Sequence, residues 1–131
     1  MMNRQIVGLI LILLFAGDAV ACSCWGAKGF ARDDSPIAKK VFSSPELTLV
    51  HARVSNVAPD SSAEIEVLEV FQGNAPNVLI PLSEPNNMCS TSLSVGEERV
   101  FLTMNGSVGL CGKMEPTPEL IQFLRKKKAI K

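Results

Sequence analysis

The chain has no net charge: thirteen Lys plus Arg stand against thirteen Asp plus Glu. Such a balance draws a protein neither to nucleic acid nor to an anionic membrane surface, so neither is an expected partner, and recognition has to come from a local site. There is a single histidine, His51, placed by alternation in a strand. Structural zinc is usually held by closely spaced Cys and His pairs, and only one such pair exists, so no resident metal or other cofactor is expected. The spacing of a redox dithiol, two residues between the sulfurs, is also missing: Cys22-Ser23-Cys24 has one, and no enzymatic activity is expected. No internal repeat is visible. A bilayer-spanning helix needs about 20 apolar residues, and Asp18 interrupts the N-terminal apolar run well short of that.

That run has the anatomy of a secretory leader. Arg4 supplies the charge, Ile6 to Phe15 the apolar stretch, and Ala19-Val20-Ala21 a small-x-small cleavage site. Residues 1–21 are thus expected to be a signal peptide. Residues 22–131 would form one secreted, extracellular domain, long enough for a modest core. A lipidated cysteine is the rival reading of the same start; Asp18 stands where such a signal is normally uncharged.

All four cysteines, Cys22, Cys24, Cys89 and Cys111, follow the cleavage site, and an even number in a short secreted chain reads as a disulfide framework. A bond between Cys22 and Cys24 would close a small strained ring. Two crossed long-range pairings remain, each closing loops of about 65 to 90 residues, for which chain entropy gives about 4 to 5 kcal/mol per bond as an upper figure. Either pairing clamps the first three mature residues onto two later segments.

The rest of the chain reads as short elements. Trp25 to Arg32 shows no sustained period and is expected to be extended. Ser35-Pro36 is an N-cap followed by proline at the first helical position, opening a short helix that ends near Phe42. From Leu47 the period becomes two, with Val50, Ala52 and Val54 on one face and Leu49, His51, Arg53 and Ser55 on the other. In the second strand, Glu64 to Phe71, the apolar face switches between Val67 and Leu68, which predicts a bulge. Val78, Ile80 and Leu82 predict a third strand, pushed towards an edge by Pro81. Ser83 to Asn87 is read as a loop. Val100 to Met104 and Val108 to Gly112 predict strands joined by an Asn105-Gly106 hairpin turn. Thr117-Pro118-Glu119 opens a last helix ending in Arg125 to Lys128. The expected fold class is mainly β, a five-stranded antiparallel OB-type barrel with peripheral short helices. Asn105-Gly106-Ser107 is also a sequon for N-glycosylation.

A Cys-x-Cys start directly after an Ala-x-Ala site, with later cysteines at Cys89 and Cys111, resembles the tissue inhibitors of metalloproteinases and their N-terminal netrin-like domain. Ser44 to Ala52 looks like the family's first strand, Glu64 to Gly73 like its second, ending in a Phe-x-Gly turn, and Met88-Cys89-Ser90 like its cysteine-bearing loop. The family's third disulfide has no counterpart here. The resemblance implies the pairings Cys22–Cys89 and Cys24–Cys111. It also implies a monomeric inhibitor of zinc metalloproteinases, whose Cys22 α-amine and carbonyl oxygen chelate the catalytic zinc of the target. Amine and carbonyl together offer a five-membered bidentate ring that displaces the zinc-bound water. An α-amino pKa of about 8 lets the amine lose its proton at modest cost beside a metal. Ser23 would enter the adjoining specificity pocket, and Cys24, Met88, Cys89 and Ser90 would complete the inhibitory edge. Netrin-like domains also serve as protein-binding modules without inhibitory activity, which is the alternative expectation.

Overall fold

The structure is a computed structural model that describes residues 26–82 and 92–130. Residues 1–21, read from the sequence as a signal peptide, the Cys22-Ser23-Cys24 motif, Trp25 and the segment carrying Met88, Cys89 and Ser90 lie outside the described residues. The elements run α1 (Gly26–Phe30), α2 (Pro36–Phe42), β1 (Leu47–Val57), β2 (Ala63–Gln72), β3 (Val78–Pro81), β4 (Glu98–Met104), β5 (Ser107–Met114) and α3 (Pro118–Ile130).

The five strands close into a barrel in the order β1-β2-β3-β5-β4. The expectation of an all-antiparallel barrel needs one correction: β3 and β5 run parallel, pairing Ile80 with Ser107 and Pro81 with Val108. The connection that makes this possible is the long link from β3 to β4, whose described part is Leu82 and residues 92–97. Although the barrel is closed, Pro81 stands as expected on a locally unpaired flank of β3. Ile80 and Leu82 donate to the Gly106 and Val108 carbonyls, both at 2.8 Å, so the residue lacking an N–H faces the other neighbour. There β2 pairing ends at Ala63 with Leu79, and no ladder bond is lost.

Strand alternation divides the apolar residues between two cores. Val50, Ala52 and Val54 of β1 point into the barrel with Ala63, Leu79, Phe101, Val108 and Leu93. Leu49, Phe71, Val100 and Met114 point outward, where the three helices cover them. β1 is therefore buried on both faces at its N-terminal end rather than half-buried throughout. The face switch in β2 is the predicted bulge: Ile65 and Val67 line the interior, Leu68 has no partner between Val67 and Glu69 in the pairing with β1, and Val70 lines the interior again.

Ser35 caps α2 as expected, its hydroxyl accepting from the Ala38 amide at 3.2 Å, with Pro36 in the first turn. Within the stretch Trp25 to Arg32 expected to be extended, Gly26–Phe30 is instead one helical turn. Five residues with two glycines carry no helical period, and the turn exists because tertiary packing buries Ala27 and Phe30 completely or nearly so. Phe30, Phe42 and Phe123, one from each helix, form a ring trio with centroids 6.2 to 6.3 Å apart, within the range of favourable aromatic pairing.

Candidate functional site

Of the residues proposed for the site, Cys111 and Asn105 fall among those described; Cys22, Ser23, Cys24, Met88, Cys89 and Ser90 do not. What the structure provides is the scaffold on which those segments begin and end.

Cys111 sits in an irregular stretch of β5. Between the pairs Phe101–Lys113 and Thr103–Val108, β4 contributes one residue and β5 contributes Gly109 to Gly112. A bulge of this size turns its side chains away from the regular ladder. Gly112 makes it possible: a Cβ there would stand 2.6 Å from the Leu102 carbonyl oxygen. Cys111 is disulfide-bonded, and its partner cysteine is not among the described residues.

Two other threads meet β5. Cα atoms of α1 approach those of β5 within 8 Å, and Ala27 and Phe30 share the outer core with Met114. In the sequence, Cys24 precedes the first residue of that helix, Gly26, by two positions. The third thread is the stretch that begins at Ser92. Lys113 Nζ donates to the Ser92 carbonyl at 3.0 Å and lies 3.1 Å from Glu97 Oε2, an ion pair without hydrogen-bond alignment at that oxygen. Just past the end of β3, the Leu82 amide is fixed to the Val108 carbonyl. Lys113 is thus a positioning residue invisible in the sequence, where it reads as one more solvated lysine.

A mostly apolar cleft of about 300 Å³ opens at the same bulge, with Leu47, Leu82, Leu102, Met104 and Cys111 among its walls. Thr103 also lines it; its hydroxyl oxygen is buried and has no hydrogen-bond partner among the described residues.

The charged groups of the barrel surface gather elsewhere, on β1, β2 and β4. His51 Nε2 lies 2.7 Å from Glu98 Oε1, and Arg53 donates to Glu98 Oε2 at 3.2 Å while its other terminal nitrogen stands 3.6 Å from Glu66. Hydrogen bonds from His51 and then Arg53 hold the Glu98 carboxyl below the usual carboxylate range. Among the described residues no group of three or more His, Cys, Asp or Glu is arranged to hold a metal.

Asn105 occupies the predicted two-residue hairpin between Met104 and Ser107, with φ of 54° followed by 81° at Gly106. Positive φ at both central residues defines the type I′ turn that Asn-Gly favours. The Asn105 side chain is exposed.

No family model, no curated protein and no solved structure matches this chain.

Proposed function

We propose that the chain is a secreted inhibitor of zinc metalloproteinases, acting through the α-amine and carbonyl oxygen of Cys22. The observation that carries this reading is the convergence on β5. A disulfide-bonded cysteine stands on a bulge, beside the helix that follows Cys24 by two residues and the strand residue that holds Ser92, which follows Cys89 by three positions in the sequence. A chain start fixed to such a scaffold loses little conformational freedom on binding, and that is the property a short chelating terminus needs for affinity. The resemblance to the tissue inhibitors of metalloproteinases supplies the chemistry, with Ser23 in the specificity pocket and Met88 and Ser90 flanking Cys22 through a Cys22–Cys89 bond. The Cys24–Cys111 pairing goes with it.

The test uses protein that begins at Cys22 with a free amine, assayed against a panel of zinc proteases. Inhibition is expected from this form and at least a hundredfold loss after acetylation of the amine or addition of one residue before it. Inhibition that survives the extension would rule out chelation by the terminus. If no form inhibits any protease, the reading gives way to a netrin-like protein-binding module.

A further inference from the structure

We propose that Asn105 carries an N-linked oligosaccharide whose proximal sugar covers an outward apolar strip on β3 and β4. The proposal goes beyond protease inhibition and does not depend on it; it rests on passage of the chain through a glycosylating secretory route.

Asn105 is exposed at the tip of the β4–β5 hairpin, followed by Gly106 and then Ser107, the acceptor pattern Asn-x-Ser. The turn itself needs only Asn-Gly, since what a type I′ turn demands is positive φ at its two central positions. A hydroxyl at position 107 adds nothing to that geometry, so the turn does not account for the third residue of the motif. The second observation is the surroundings. Val78, Ile80 and Leu82 alternate with the interior Leu79, and Met104 alternates with the interior Thr103, so all four point outward; they are 43%, 50%, 51% and 53% exposed. Met104 directly precedes the turn, and the β3 row lies on the far side of β5 from it. The Ile80 amide donates to the Gly106 carbonyl at 2.8 Å, Ile80 pairs with Ser107, and the Val78 carbonyl is 3.1 Å from where a Gly106 Cβ would stand. Val78, Ile80 and Leu82 succeed one another along one outward row, and Met104 lies across β5 from Ile80 with Ser107 between them; exposed apolar side chains gathered this way are an association liability on a secreted domain. A sugar fixed at Asn105 presents the apolar face of a pyranose ring to that strip and its hydroxyls to water.

The transfer balances as follows. The Asn105 carboxamide nitrogen attacks the anomeric carbon of an oligosaccharide carried on a polyprenyl diphosphate. The new C–N bond forms as the C–O bond to the diphosphate breaks, the diphosphate leaves with the electron pair, and the amide proton passes to a base of the transferase.

The experiment expresses the full chain, with its own leader, in cultured eukaryotic cells and measures the intact mass of the secreted protein before and after peptide N-glycosidase. Wild type is expected to carry one oligosaccharide that the glycosidase removes, leaving Asp at position 105. Asn105→Asp keeps a residue tolerant of positive φ, and Ser107→Ala leaves the turn residues untouched; both should be secreted at the unmodified mass. Enzymatically stripped protein should also bind the apolar dye ANS severalfold more strongly than the glycosylated form. Secreted wild type at the unmodified mass overturns the proposal, as does a chain that never enters the secretory route. Equal dye binding by the two forms overturns the covering of the strip.

Discussion

A methyl group at position 112 has nowhere to go: its nearest neighbour, at 2.6 Å, is the Leu102 carbonyl oxygen, part of the backbone rather than the end of a flexible side chain. Gly109, three residues earlier in the same bulge, has nothing within 4 Å of its missing Cβ. The pair makes an internal control. Gly112→Ala is expected to destabilise the protein by about 1 to 3 kcal/mol, the ordinary cost of forcing atoms into packed structure, and Gly109→Ala to stay within about 0.5 kcal/mol of wild type. Chemical denaturation of the two variants checks both, and equal losses would show that the bulge does not depend on this close approach. Single residues were unevenly legible in the sequence. Gly73 was readable in the Phe-x-Gly turn, and the structure gives the reason: φ of 76° and a Cβ position 3.1 Å from the Thr48 Cα. Gln72 beside it was not. Its buried amide donates to the carbonyls of Val41, Ser44 and Leu47, joining the end of α2 to the start of β1. Nothing local marks a glutamine that serves carbonyls some thirty positions away, because the signal is created only when β2 meets α2.

At the scale of elements, the strands were legible because each carries its own period, and the β2 bulge because it interrupts one. α1 was not, since its helical turn is imposed by the core and not by its residues. α3 shows how a readable helix is fixed by an unreadable contact. Arg125 donates to both oxygens of Glu69 on β2, at 2.8 to 3.1 Å. These hydrogen bonds hold the Glu69 carboxyl below its usual range, against the opposing effect of partial burial. A carboxyl depressed in the folded state contributes stability above its unfolded pKa and loses that contribution as pH falls through the folded value. With Arg125 largely exposed, the pair is worth about 1 kcal/mol or less. Glu69→Gln should therefore be slightly less stable than wild type at neutral pH, with the gap closing in acid below the normal glutamate range. Denaturation midpoints of both proteins across that range measure it, and a gap that stays constant with pH would remove the ion pair as its cause.

For the molecule as a whole, the consequential feature is that two cores share one set of strands. β1 sends Val50, Ala52 and Val54 inward and Leu49 outward, and β4 sends Phe101 inward and Val100 outward. The helical layer on the outer face cannot come away without exposing Leu49 and Val100, whose backbones also hold the barrel interior in place. The chain should then unfold as one unit, even though its helices are short and its barrel is closed without them. Phe30 tests this, because it is fully buried, belongs to the ring trio and lies in the helix that follows the proposed inhibitory terminus. Phe30→Ala is expected to cost about 3 to 5 kcal/mol, a large share of the roughly 5 to 15 kcal/mol that holds a domain together. If the cores are coupled, the loss appears as one shifted transition with an unchanged denaturant slope, reported alike by far-ultraviolet circular dichroism and by hydrogen exchange of interior amides such as Val54. If instead α1 and its neighbours melt first and leave the interior amides protected, the outer layer is a separate unit. The scaffold behind Cys24 could then loosen without the barrel opening.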